Sequence, residues 1–284
     1  MMWKLADFLG IEVLDYVVMG NHYHQLIKAP ASVDIDDLEL RNRLRAYYGP
    51  DHKKVAMFDA ALERGGLTAS KARGIHLRRM GNISEFEKVL KQKFSRWYNK
   101  RNKRKGTLWM ERFKSLLLED CVSARTTVAA YIDLNPVRAK MVADPKDYRH
   151  CGYGAAIGGD QRCRDGIMQI TGIENWKKAA ADYRKLLMQR GNVQVEGKRG
   201  SIDRKLLLET LEMKGHLPRS QLLRLKVRFL TDGLVLGSED FVEEIFNQYR
   251  DYFGTSRKTG SRPMCCLSDA SLRVIRDLRM EAVS

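Results

Sequence analysis

The sequence is poor in the features that mark stapled, exported or membrane-bound chains. Its 284 residues include five cysteines, Cys121, Cys151, Cys163, Cys265 and Cys266, and no C-x-x-C pair. An odd count without a spacing framework argues against a disulfide scaffold or a cysteine-built zinc site, and fits reduced thiols in the cytoplasm. No apolar run approaches the roughly 18 residues of a bilayer span. The N-terminal stretch MMWKLADFLGIEVLDYVVM carries acidic residues inside its apolar part, which does not suit a secretory signal. There is no internal repeat and no low-complexity tract. Acidic residues are also scarce: 35 Asp and Glu stand against 51 Lys and Arg, giving a net charge of +16 and a pI near 9.7.

That imbalance is concentrated. From Lys71 to Lys114 there are 15 basic residues and 3 acidic ones, a net of +12. A polyanion is the natural counterpart, because each phosphate neutralised releases counterions and adds sequence-independent affinity. A solvated helix face accounts for the same charge without a partner. A membrane surface fits less well, since no amphipathic anchor accompanies the run.

Along the chain, WKLADFL reads as a helix closed by Gly10. EVLDYVVM and QLI read as two strands joined by a turn at Gly20-Asn21. DIDDLELRNRLRAYYG is a helix capped by Asp34 or Asp36 and stopped at Gly49-Pro50, and 51–81 reads as short helices and loops. ISEFEKVLKQKFSRWYNKRN has Phe86, Val89, Leu90, Phe94 and Trp97 at helical spacing, with Ser84 as cap and a basic opposite face. TLWMERFKSLLL is strand-like. VSARTTVAAYIDLN is a helix with a serine cap, interrupted by Pro136. CGYGAAIGGDQRCRDG, with five glycines in 16 residues, reads as a loop or linker. ENWKKAAADYRKLLMQR is a helix, and GNVQVEGKRGS a second linker. SIDRKLLLETLEMKG, LPRSQLLRLKVRFL and EDFVEEIFNQYRDYFG are helices, with DGLVLGS a turn and TSRKTGSRP a basic tail. This C-terminal part fits a DNA-binding helical domain and plain structural support equally well.

The stretch VVMGNHYHQLI holds the first candidate for chemistry. Side chains alternate along a strand, so His22 and His24 share one face while Tyr23 takes the other, and two imidazoles at that spacing can hold one cation. Two polar residues on a solvated strand face give the same pattern. Tyr131 and Asn135 lie four apart and project from one helix face. They also fit a core tyrosine and a helix cap ahead of Pro136. Trp97 and Tyr98 sit among Arg96, Lys100, Arg101, Lys103, Arg104 and Lys105, where stacking on bases in a basic groove is one role open to them. Arg112 and Lys114 extend the basic set, whereas Trp109 and Phe113 suit a core better than a stacking platform.

Taken in order, MGNHYHQLI, GTLWMERFKS and YIDLNPVRAKMV followed by DYRHCGYG resemble the HUH single-strand transposases with one catalytic tyrosine. The likeness is greatest to the insertion-sequence and REP-associated tyrosine transposases, and it covers roughly residues 5–155. The resemblance implies an α+β chain: a ferredoxin-like antiparallel sheet with helices, followed by a mostly helical C-terminal region. It implies a catalytic domain over 1–155, a linker and helix over 156–200, and a helical domain over 201–284. His22 and His24 correspond to the metal-binding pair, Asn135 to a third ligand and Tyr131 to the nucleophile.

The implied cofactor is Mg²⁺ or Mn²⁺, with two imidazoles favouring Mn²⁺. The implied partners are single-stranded or hairpin DNA and a second copy of the chain, with no membrane, and the implied activity is cleavage and rejoining through a 5′-phosphotyrosine. A DNA-binding protein without strand cleavage is the alternative. In the family, a first strand and the start of a helix precede the block that begins here near residue 5, and without that strand backbone groups beside the histidine strand lack partners.

Overall fold

A computed structural model describes residues 1–188, 233–255, 257–263 and 272–276. The chain is α+β. Its described elements run α1 (Met2–Leu9), β1 (Glu12–Val18), β2 (Tyr23–Lys28), α2 (Asp37–Tyr48), α3 (Lys53–Arg64), α4 (Gly66–Leu77), α5 (Ile83–Arg101) and β3 (Leu117–Leu118). They continue with α6 (Val122–Asp133), α7 (Asn135–Arg138), α8 (Gly152–Ile157), α9 (Gln161–Thr171), α10 (Trp176–Met188), β4 (Gly233–Gly237), α11 (Glu239–Gln248), β5 (Arg262–Pro263) and β6 (Arg273–Arg276). Among the described residues no helix is long and apolar enough to cross a membrane.

The contacts divide the chain into two compact units, one of Met1–Val13 with Ile27–Phe113 and one of Leu14–Leu26 with Lys114–Ser284. In the first, α1 ends where Gly10 turns into the left-handed region at φ 66, a conformation that glycine adopts without steric cost. Helix α2 starts at Asp36, whose carboxylate accepts from the Glu39 amide at 2.7 Å, satisfying one of the open amides of the first turn. Leu5, Phe8, Leu9, Leu40, Leu44, Val55, Phe58 and Phe86 are buried here. The cap of α5 is Asn82, which accepts from Glu85 N at 3.0 Å, rather than Ser84. Only Phe86 and Glu87 of α5 are buried; the aromatic continuation of its apolar stripe, Phe94 and Trp97, stays outside the core.

In the second unit, helix α6 is buried all round from Thr126 to Asp133, as a helix inside a core must be. Its N-cap is Cys121, not the expected serine. One edge of β1 pairs with β2. The other is met by the segment after Tyr148: Val18 N donates to His150 O at 2.9 Å, Val17 bridges Cys151, and the Tyr148 hydroxyl donates to Val18 O at 2.7 Å. The backbone groups of Val18 on that side thus find partners.

The glycine-rich stretch expected to be a loop forms α8 and α9 instead. Its glycines serve close packing: a Cβ on Gly166 would run into the carbonyl oxygen of Leu14, and one on Gly152 into the Asp15 carboxyl. The boundary expected at 155 therefore falls inside a helix. The stretch DGLVLGS, expected to be a turn, holds β4, which pairs parallel with β3 and antiparallel with β6 in a four-stranded sheet of order β3-β4-β6-β5. TLWMERFKSLLL is strand only at Leu117–Leu118. EDFVEEIFNQ forms α11 as expected. The helices expected over SIDRKLLLETLEMKG and LPRSQLLRLKVRFL, the linker GNVQVEGKRGS, and Cys265 and Cys266 lie outside the described residues. Cys121, Cys151 and Cys163 form no disulfide.

Gly166→Ala is expected to destabilise the chain by about 1–3 kcal/mol through this overpacking, read as a lowered thermal midpoint. Gly20→Ala, with no atom within 4 Å of its added methyl, is the control and should leave the midpoint nearly unchanged. Equal midpoints for the two variants would show that α9 does not rest on β1.

Candidate active site

The hairpin turn sets the first two side chains. Met19 N donates to His22 O at 2.8 Å, closing the turn over Gly20-Asn21, and β2 begins one residue later at Tyr23. Neither turn residue has positive φ. His22 therefore stands at the turn exit and His24 inside the strand, on the same side, with ring centroids 5.2 Å apart.

Their protonation suits metal binding. Asn21 Oδ1 lies 2.7 Å from Nδ1 of His22; an amide oxygen only accepts, so this contact is a hydrogen bond in the tautomer with the proton on Nδ1, the one that leaves Nε2 for a cation. Burial, then the neighbouring His22 and Arg138, lower the His24 pKa to about 4. At neutral pH His24 is an uncharged imidazole, the form that ligates a cation.

Helix α6 brings the third residue. Tyr131 is 4% exposed, and its ring meets that of His24 edge-on at 5.9 Å between centroids. Its carbonyl lies in the last turn of α6, where helix acceptors lack intrahelical donors. Two side chains supply them: Asn135 Nδ2 at 3.2 Å and Arg138 Nη2 at 2.6 Å. The Asn135 amide is thereby held by its nitrogen, leaving its oxygen as the end able to ligate a cation. Arg138 also places its guanidinium 4.0 Å from the Tyr131 ring centre, a cation against a π-face. Burial pulls the Arg138 pKa down to about 10 against the opposing influence of the Tyr131 phenol.

The structure thus links His22, His24, Tyr131 and Asn135 in one chain of contacts within the second unit. Among the described residues no group of three or more His, Cys, Asp and Glu is placed to hold a metal ion; the set here is two imidazoles and an amide. The basic residues expected to bind DNA are all exposed. Arg96, Trp97, Lys100, Arg101, Lys103, Arg104, Lys105 and Arg112 belong to the first unit, and Lys114 to the second.

Two features of the site were not read from sequence. Arg138 lies seven residues after Tyr131, two helical turns on and on the same face, a spacing that could have found it. The other is a buried carboxyl pair behind the site. Asp133 accepts from Tyr153 N at 3.0 Å and from the Tyr183 hydroxyl at 2.8 Å. Asp15 on β1 accepts from Tyr16 N at 2.8 Å, and its Oδ2 is buried without a hydrogen-bond partner. Burial raises Asp133 to about 6 and, together with the charge of Asp133, raises Asp15 well above the usual carboxylate range. An acid placed inside each of the apolar runs EVLDYVV and AAYIDLN was the available signal.

No family model matches the chain, and no curated protein or solved structure matches it.

The carboxyl pair carries a pH dependence. Both folded-state values lie above the unfolded value of 3.8, so the fold favours the protonated acids. The contribution of Asp133 is intact below pH 4 and is lost as pH rises through about 6; that of Asp15, raised in the same direction, is likewise intact at low pH and lost as pH rises. Asp15→Asn keeps the acceptor for Tyr16 N and removes the more strongly raised acid. It should stabilise the chain at pH 7–8, by on the order of 1–3 kcal/mol, and change little at pH 4. Thermal melts across pH 4–8 that fail to diverge would show that the pair does not titrate in this way.

Proposed function

We propose that the protein is a metal-dependent tyrosine strand transferase acting on single-stranded DNA, of the HUH single-tyrosine transposase type. The observation that carries this reading is the meeting of His24 with Tyr131 at 5.9 Å, with His22 beside the first and Asn135 bonded to the carbonyl of the second.

The chain's own groups divide the work. His22, His24 and the Asn135 oxygen would hold the divalent ion, which would supply Lewis-acid polarisation of the scissile phosphodiester. The Tyr131 hydroxyl attacks phosphorus, the bond from phosphorus to the 3′ oxygen breaks, the tyrosine proton leaves to a base, and the 3′ oxygen departs as a hydroxyl after gaining a proton. The 5′-phosphotyrosine conserves the bond energy, so a second 3′-hydroxyl reverses the step on another strand. A phenol with a reference pKa of about 10 is a weak nucleophile at neutral pH. The Arg138 guanidinium over its ring is placed to offset charge developing at the reacting phosphate.

The near-complete burial of Tyr131 favours a second reading, a protein that binds single strands without cutting them. In the first reading, side chains over the phenol must move before phosphate reaches it.

Incubation with Mn²⁺ and an end-labelled hairpin oligonucleotide, followed by a denaturing gel, separates the two. The strand-transfer reading expects a covalent adduct that is lost on chelation and falls at least about 10³-fold in Tyr131→Phe. An adduct surviving Tyr131→Phe refutes the nucleophile, and binding without any adduct favours the second reading. In the same assay Arg138→Ala should slow adduct formation by about 10²-fold, with Arg138→Lys recovering part of the loss. An unchanged rate in Arg138→Ala would remove the guanidinium from the reaction.

A further inference from the structure

The first unit carries a cluster of aromatic rings outside its core. Phe94 lies 5.6 Å from Trp97, 6.0 Å from Tyr98 and 5.8 Å from Trp109 between centroids. Trp97 is 50% exposed, and Phe94, Tyr98 and Trp109 are half-buried. Three of the rings have a cation against a face: Lys91 Nζ 5.1 Å from Trp109, Arg101 5.8 Å from Trp97 and Arg104 5.9 Å from Tyr98. Residues 102–109 form a strap running back along α5. It is held where Asn99 Nδ2 donates to Gly106 O at 2.9 Å and Trp109 Nε1 donates to Lys91 O at 3.2 Å.

Between helix and strap lies a groove of about 350 Å³, near the lower end of the roughly 300–1,000 Å³ of small-ligand sites. Trp109 forms one wall. Gln92, Arg96 and Asn99 line the other, with no carboxylate among the lining residues.

These features select a ligand. An anion is favoured by Lys91, Arg96 and the exposed basic run that follows. A flat, polarisable ring is favoured by the indole faces, since a base of any sequence has a π-face to stack. Hydrogen-bonding edges are matched by the amide of Gln92. A duplex offers the charge but keeps its bases stacked on one another, whereas a single strand offers charge, ring and edge together.

We propose that the groove between α5 and the strap binds unstacked bases of single-stranded DNA, one against Trp109 inside the groove and one against exposed Trp97, with Lys91, Arg96 and Arg101 on the intervening phosphates. The choice of DNA rests on the strand-transferase reading above; the groove, the rings and the charge do not.

The test uses the full chain in EDTA, which prevents cleavage, and fluorescence anisotropy of a labelled thymidine homopolymer. A duplex of equal length and inorganic polyphosphate serve as comparison ligands. Trp97→Ala should weaken single-strand binding roughly 5- to 100-fold while leaving the slope of log affinity against log salt and the duplex affinity unchanged. Trp97→Phe should recover most of the loss. Trp109→Ala should act in the same direction, with Trp109→Phe guarding against a merely unfolded strap. Arg96→Ala should instead lower the salt slope by about one. Unchanged single-strand affinity in both Trp97→Ala and Trp109→Ala, or equal affinity for single strand, duplex and polyphosphate, overturns the proposal and leaves the rings as an anchor for the strap. Running the adduct assay on the same variants keeps the two claims apart. Ring-dependent binding with no adduct in the wild-type chain sustains the groove and removes strand transfer, and an adduct with ring-independent binding does the reverse.

Discussion

Asp133 is the residue through which the helix bearing Tyr131 is tied to its surroundings. Lying between Tyr131 and Asn135 in sequence, it spends one carboxyl oxygen on the amide of Tyr153 at the start of α8 and the other on the hydroxyl of Tyr183 in α10. A hydrogen bond to a charged group contributes roughly 1.5–3 kcal/mol, and a buried acid left without partners costs more than that. Rotation of α6 about its axis would break both bonds at once. The direction in which Tyr131 points is therefore set from behind, by groups that do not themselves touch the imidazoles.

The same arrangement explains why glycines crowd into the residues after 150. For α8 and α9 to reach the back of α6 and the first strand, their backbones must lie against Asp15 and Leu14 at distances that exclude a Cβ. Close approach also brings two acids into one dry region, where burial raises both above the usual carboxylate range and the charge of Asp133 raises Asp15 further. The strand carrying the histidine hairpin and the helix carrying Tyr131 are thus packed around a titrating pair. Side chains on the front, His24, Tyr131 and Arg138, are in turn held by ring contacts and by the Tyr131 carbonyl.

What the sequence disclosed follows from the range of the interactions involved. The Asp36 cap, the Gly10 and Gly49 stops and the Gly20-Asn21 turn depend on neighbours within a few residues, and all were legible. The pairing of His22 with His24 was legible from strand alternation, and that of Tyr131 with Asn135 from helical spacing. Misread segments depend on distant partners. Gly152 and Gly166 looked like loop residues because the backbones they approach lie more than a hundred positions away. LVL within DGLVLGS looked like part of a turn because its partners, Leu117–Leu118 and Arg273–Arg276, are far off in the chain. Trp109 looked like core because an aromatic in an apolar run is usually buried; its half-exposed position beside Lys91 follows from how the strap lies on α5.

The proposed chemistry requires both imidazoles to reach one ion. Pulsed electron paramagnetic resonance on the chain loaded with a single equivalent of Mn²⁺ reads the nitrogen nuclei coupled to the metal. The account expects two histidine nitrogens in the wild-type chain, and one in either His22→Ala or His24→Ala. A spectrum showing water ligands alone, or one that neither substitution alters, would contradict it.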